Sequence, residues 1–170
     1  MNSLVSIILN CRNGEKYLDQ ALKSIKNQHY ENWELIFFDN LSTDKSRNIF
    51  DNNFDKRFKY FKSIKVLKLY SARNEALKNC KGDIIAFLDC DDWWDENYLS
   101  SRASLFNNDD KDFFYCNRYT FYEKSNKLKK FRKLELPNGK IYNYLAKDYF
   151  ISISGLIIKK EIFDKVGLFN

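Results

Sequence analysis

The sequence carries little punctuation: one proline and five glycines in 170 residues. A small loop-rich scaffold stapled by disulfides would need more turns. The four cysteines, Cys11, Cys80, Cys90 and Cys116, contain no Cys-x-x-Cys pair and read as reduced thiols. With His29 as the single histidine, a zinc site of the usual Cys/His composition is not expected. No apolar run approaches the roughly eighteen residues that span a bilayer. Nor does a basic segment followed by an apolar stretch and a cleavage site open the chain. The expectation is a cytoplasmic protein.

What is present points to a folded core. Apolar residues make up 44% and aromatics 17%, which excludes a disordered chain. The length suits one domain. Lysine and arginine exceed acids by 29 − 23 = 6, and the excess is uneven. Residues 56–68 (KRFKYFKSIKVLK) and 124–133 (KSNKLKKFRK) each hold six cations and no acid. Such runs are either solvated faces with their alkyl stems on apolar surface, or footprints for anionic lipid, a phosphorylated ligand or nucleic acid. No recognised nucleic-acid motif accompanies them, so no nucleic-acid partner is expected.

Along the chain, strand and helix patterns alternate. Residues 4–9 (LVSIIL) read as a buried strand ending at the loop residues NCRNG, and from Glu15 to about Gln28 the apolar residues fall on one helix face. WELIFF (33–38) is a second strand, followed by a loop with Ser42 or Thr43 as N-cap and a helix to about Asn52. A third strand is expected at 64–69 (IKVLKL), a helix at 71–80 stopped by Gly82, and a fourth strand at 84–88 (IIAFL). Such alternation implies an α/β fold with a mostly parallel central sheet flanked by helices. After residue 107, aromatic alternation and a basic stretch predict antiparallel strands around a turn, added to the same sheet. A short helix at 141–147, a strand at 153–158 and a helix from Lys160 to Val166 close the pattern.

In parallel α/β sheets, ligands bind beyond the carboxyl ends of the strands. Three expected ends carry polar clusters: Asn10 to Asn13, Asp39 to Thr43, and Asp89 to Asp92. The last places three carboxylates in four positions of a basic chain, where they repel unless a cation sits among them. In a D-x-D spacing the side chains of Asp89 and Asp91 project the same way if strand geometry persists. Paired hard oxygens suit Mg2+ or Mn2+ shared with substrate phosphates. The alternative is that Asp91, Asp92 and Asp95 cap the following helix, and for Asp95 that reading is preferred. Arg73, at a helix start, is suited to phosphate oxygens.

The blocks VSIILNCRNGEKYL, WELIFFDNLSTDKS, SARNEAL and GDIIAFLDCDDWWDENYL resemble, in order and spacing, the nucleotide-binding half of an inverting family 2 glycosyltransferase with the Rossmann-like GT-A fold. ISISGLIIKKEIFDKVGLFN resembles that family's later acceptor-side segment. The resemblance implies one domain over 1–170, with a nucleotide-binding half at 1–106 and a partial acceptor-side half at 107–170. It implies that Asp39 binds the base and that Asn10, Arg12, Asn13, Asn40 and Ser42 flank base and ribose. Arg73 and Asn74 then lie near the diphosphate, Asp89 near ribose and metal, and Asp91 is the principal metal ligand. The implied cofactor is Mn2+ or Mg2+, and the implied partners are a nucleotide-sugar donor, a glycan or lipid-linked acceptor, and peripherally an anionic inner-membrane surface. The general base is expected beyond Asn170, so no catalytic residue is assigned, although Asp148 and Asp164 lie near the end. The competing reading is a metal-dependent nucleotide-sugar-binding module without turnover.

Overall fold

A computed structural model describes residues 3–107 and 111–170. Its centre is a six-stranded sheet in the order β3-β2-β1-β4-β8-β5. The strands β1 (Val5–Cys11), β2 (Trp33–Asp39), β3 (Phe58–Lys62) and β4 (Ile84–Asp89) run parallel. The strands β5 (Phe113–Tyr115) and β8 (Leu156–Lys159) extend the sheet antiparallel beyond β4.

All residues of β1 and β2 are buried, which explains why they read as unbroken apolar runs. Alternate side chains serve opposite faces. Val5, Ile7, Leu9 and Cys11 pack with Leu18, Leu22 and Ile25 of helix α1 (Leu18–Lys26). Ile8, Ile36 and Phe87 pack with Ala72, Ala76 and Leu77 of helix α3 (Leu69–Leu77). Helix α2 (Ser46–Asn52) adds Phe50, whose ring meets Phe37, Phe58 and Tyr60.

The third strand is not at 64–69. It lies at 58–62, inside the first basic run, where Phe58 and Tyr60 turn inward between lysines. The alternation of Ile64 and Val66 is misleading, because both are exposed and Ile64 is 97% accessible. Ser42 and Thr43 do not cap α2; both face Asn13, and Asp44 Oδ1 accepts from the Ser46 N–H at the helix start instead. Gly82 does not end α3, which stops at Leu77. A glycine is required there because a Cβ at 82 would lie 2.4 Å from the Leu4 carbonyl oxygen.

Beyond residue 95, turns lead into a short helix α4 (Ser100–Ala103) and a 3-10 turn over Ser104–Asn107. Asp95 does not cap α4, whose N-cap is Leu99 with no side-chain bond; it accepts instead from the Asn97 N–H in the turns before the helix. The antiparallel addition is only partly as expected. β5 joins the main sheet, but β6 (Tyr119–Tyr122) and β7 (Lys127–Lys130) form a separate two-stranded sheet, and all their residues are exposed. Helix α5 (Tyr142–Leu145) and helix α6 (Glu161–Val166) lie near their expected places; the strand expected at 153–158 begins as a 3-10 turn and becomes β8 three residues later.

Candidate functional site

The register brings the three polar clusters together at one sheet edge. Cys11 pairs with Asp39 on one side of β1, and Asn10 pairs with Asp89 on the other. Parity then sorts their side chains. Asp39 and Cys11 point to the α1 and α2 face, while Asn10 and Asp89 point to the face of α3.

Asp39 is 1% exposed. Its Oδ1 accepts from the Ser42 N–H at 2.7 Å, and its Oδ2 accepts from the Tyr60 hydroxyl. Burial, and then the Asp39 carboxylate, push the Tyr60 phenol up to about 12, so Tyr60 remains a donor at any ordinary pH. The turn after β2 carries Leu41 at φ 60°, and the turn after β1 carries Asn13 at φ 55°. Their strain is offset by interlocking bonds. The Asn13 N–H donates to Ser42 Oγ and its Oδ1 accepts from the Thr43 N–H, while the Gly14 N–H donates to Ser46 Oγ and the Glu15 N–H to Asp44. Two turns are thereby held as one rim. Arg12 lies exposed on it.

On the other face, the Arg73 guanidinium donates to Asp89 Oδ1 at 2.8 Å, with Arg73 largely buried. Asn10 is 8% exposed, and its Nδ2 has no hydrogen-bond partner among the described residues. A buried amide donor without an acceptor is costly, and a ligand oxygen at this edge would satisfy it.

Two residues grouped with the ligands by sequence are otherwise engaged. The Asn40 amide exchanges both its bonds with the backbone N–H and C=O of Leu67, and the Asn74 amide does the same with Phe169. Each acts as a staple that an aspartate could not replace, because one of the two bonds needs a side-chain donor.

The strand geometry does not persist through Asp91. β4 ends at Asp89, and the Asp92 N–H donates to the Asp89 carbonyl at 3.0 Å, closing a turn with Asp91 at its exposed corner. Sequence reasoning missed what holds this turn. Ser154 Oγ accepts from the Asp89 N–H and donates to Asp92 Oδ2 at 2.6 Å, while its carbonyl accepts from Trp94 Nε1. Desolvation, and then the Asp91 and Asp89 charges, hold the Asp92 carboxyl above its usual range. Tyr60 and Ser46 were missed too. Tyr60 was hidden by the misplaced third strand, and Ser46 shows no signal except its spacing from Asp44.

Among the described residues no three ligating side chains converge to hold an ion unaided. The donor set still fits a shared one. Asp91 is exposed with no hydrogen bond or ion pair to the described chain, Asp89 has one oxygen outside its Arg73 bond, and Mg2+ or Mn2+ needs only one or two carboxylates when phosphates supply the rest.

Two sulfurs complete the edge. Cys11 is buried and Cys90, the middle residue of the D-x-D, is half-buried; a Cβ on Gly14 would lie 2.7 Å from Cys11 Sγ and 3.0 Å from Cys90 Sγ, so the two sulfurs are near neighbours. Their interaction is the main reason the Cys11 thiol sits below its usual range and the Cys90 thiol well above it.

The sequence profile of glycosyl transferase family 2 matches residues 6–167. The chain belongs to that family. It is 33% identical over 159 residues to the UDP-Glc:alpha-D-GlcNAc-diphosphoundecaprenol beta-1,3-glucosyltransferase WfgD of Escherichia coli, a match covering 94% of this chain and 61% of WfgD. Among solved structures, TarS of S. aureus in complex with UDP-GlcNAc superposes with a TM-score of 0.74 at 20% identity, over 95% of this chain and 46% of that one. The mannosyltransferase PcManGT of Pyrobaculum calidifontis, in complex with GDP-Man and Mn2+, gives 0.74 at 18% identity, over 98% and 47%. The fold is therefore GT-A. This chain spans about three-fifths of the length of WfgD and under half of either structure.

Proposed function

We propose that this family 2 member binds a nucleoside-diphosphate sugar, with UDP as the nucleotide, and transfers the sugar with inversion to a hydroxyl of a glycan or lipid-linked acceptor in polysaccharide biosynthesis. The observation that carries the reading is that Asp39, Asn10 and Asp89 end three adjacent parallel strands at one sheet edge, Asp39 towards the α1 and α2 face and Asn10 and Asp89 towards the α3 face, with the Asn10 amide donor unpaired among the described residues. Asp39, already oriented by Ser42 and Tyr60, accepts from a base N–H. The Asn10 amide donates to a ribose or phosphate oxygen, and Arg73 pairs with the diphosphate across Asp89. Mg2+ or Mn2+, held by Asp91 and Asp89, would neutralise charge on the departing diphosphate. Names of relatives support the donor and acceptor classes: WfgD is a UDP-Glc transferase acting on a diphosphoundecaprenol, and TarS was solved with UDP-GlcNAc.

Inversion also needs a base to take the acceptor proton on the face opposite the leaving group. Asp148 is paired with Arg132, and Asp164 is exposed on α6, so neither is given that part. The acceptor-side basic and aromatic surface of 119–134 suits a peripheral approach to an anionic membrane. No helix among the described residues is long and apolar enough to cross one.

The test is thermal shift and calorimetry with UDP, GDP and ADP, each with and without Mn2+, because a ligand that binds only the folded state raises its stability by mass action. UDP binding strengthened by Mn2+, with the metal-dependent part lost in Asp91→Ala, is expected. Equal binding with and without metal would remove the cation from the reading, and binding of none of the three would remove the donor. Transfer from UDP-sugars, measured beside binding, separates an enzyme from a binding module.

A further inference from the structure

The geometry points to a dithiol modification site inside the donor edge: we propose that Cys11 and Cys90 close a reversible disulfide that shuts the nucleotide site. The gating half of this proposal rests on the donor reading above; the cross-link itself does not.

Asn10 and Asp89 are the last paired residues of β1 and β4; Cys11 ends β1, and Cys90 is the first residue of the turn that follows β4. Both side chains pack against the same core on the α1 face. The residues just before them, Asn10 and Asp89, are paired on strands about 4.8 Å apart, and a disulfide spans roughly 4.4–6.8 Å between Cα atoms. The two sulfurs flank one point: a Cβ on Gly14 would lie 2.7 Å from Cys11 Sγ and 3.0 Å from Cys90 Sγ. Only a glycine at 14 leaves room for both sulfurs. Cys80 lies on the opposite face of the sheet, and Cys116 on the far side of β8, so neither competes for this pairing.

The chemistry requires a two-electron oxidant of the peroxide class. One of the two sulfurs takes one peroxide oxygen to become a sulfenic acid, and the other oxygen leaves as water. The second sulfur then displaces the sulfenic oxygen as a second water, forming the S–S bond. Two thiols and one hydrogen peroxide give one disulfide and two waters.

Closing the bond draws the sulfurs together to about 2.05 Å. Cys11 is fixed in a buried strand, so the backbone at Cys90 gives way, being a turn outside the sheet pairing. Asp89 and Asp91 flank that backbone. Gly14, on the rim after β1, lies against both sulfurs, which ties that rim to the same event. Oxidation therefore re-aims the acids and the rim together.

Treat the protein with hydrogen peroxide, map the thiols by mass spectrometry, and measure UDP affinity with Mn2+ before and after, and again after dithiothreitol. The expected result is a Cys11–Cys90 linked peptide, loss of two free thiols, and UDP affinity weakened about tenfold or more, all reversed by the reductant. Cys11→Ser and Cys90→Ala should each bind UDP equally well before and after peroxide; one folded variant suffices. A different pairing, or sulfinic acid without a cross-link, overturns the site. A cross-link with unchanged affinity overturns the gating, as does peroxide sensitivity in either variant. If the reduced protein binds no UDP, the donor reading fails, and with it the gating; the thiol map still decides the cross-link.

Discussion

In β1 and β2 every residue is buried; in β6 and β7 every residue is exposed. The same chain spends its aromatic residues in opposite ways. Phe37, Phe50, Phe58 and Tyr60 stack on one another inside the first half, whereas Tyr119, Tyr122, Tyr142, Tyr144 and Tyr149 face solvent in the second. In the first half burial decides the strand residues, and the polar edge is a by-product of strands that stop together. In the second half packing within the described chain decides little, and surface chemistry explains the residues better.

The largest expected effect tests this contrast with two glycines. In Gly82→Ala the new methyl meets two backbone atoms of the neighbouring strand, Leu4 O at 2.4 Å and Ser6 N at 2.9 Å. Strand and turn must part, at a cost of about 3 kcal/mol or more. Gly139→Ala meets nothing within 4 Å, and only its φ of 73° resists, worth about 1 kcal/mol. Urea unfolding of both measures the difference. Equal losses would erase the distinction between the halves.

Next comes Arg73→Ala. It removes a charged partner from Asp89 and, in the proposed reading, from the diphosphate. A charge-assisted bond of about 1.5–3 kcal/mol corresponds to UDP affinity weaker by about ten- to a hundredfold. Calorimetry reads it, and Asn74→Ala sharpens it: Asn74 staples Phe169 and should cost stability with little change in UDP affinity.

Asp55 supplies a smaller effect, with a defined pH window. Its carboxylate accepts from the Arg57 backbone and guanidinium, and the guanidinium also lies 3.6 Å from the Trp33 ring centre. The side-chain bond to Arg57 is the leading cause that holds its pKa down at about 2 against 3.8. A carboxyl depressed on folding stabilises fully above its unfolded pKa and loses that stabilisation as pH falls, here between about 4 and 2. The contribution at neutral pH is about 2 kcal/mol. Asp55→Asn should lose it at pH 7 and flatten the acid limb of a stability curve. A mutant curve parallel to wild type would show that the ion pair is not its source.

Legibility in the sequence followed the same divide. Strands β1, β2 and β4 were readable because burial on both faces leaves long apolar runs, and the clusters at their ends could be placed on one edge by topology alone. β3 was not, since its outward residues are lysines and the more apolar stretch downstream is a loop. Asp39 and Asp89 stood out because charge at the end of a buried strand is rare, and Arg73 because it falls in the SARNEAL block with a guanidinium suited to phosphate oxygens. Ser154 could not stand out: it reaches the Asp89 turn from 65 residues away. Asn40 and Asn74 show the limit of a resemblance, which marks a position without saying whether its amide faces a ligand or the backbone.

The smallest effect on stability belongs to the hairpin, and it is the sharpest test of the second half. Lys127, Lys129, Lys130 and Lys133 are exposed, and none is ion-paired among the described residues. The hairpin touches the rest through Phe121 on Trp93 and through Glu123, which accepts from Lys16 and Tyr17. None of those contacts uses the four lysines. Replacing all four with glutamine should therefore shift unfolding by no more than about 0.5 kcal/mol while lowering net charge from +6 to +2. If the surface meets an anionic membrane, each lysine near it is worth about 1 kcal/mol, so partitioning onto phosphatidylglycerol vesicles should fall steeply. Added salt should weaken wild-type binding far more than that of the variant. UDP affinity should stay the same, because the donor edge draws on none of these residues. Unchanged vesicle binding with intact stability would mean that the basic face is only solvated, and that the second half presents its aromatics to something other than a charged bilayer.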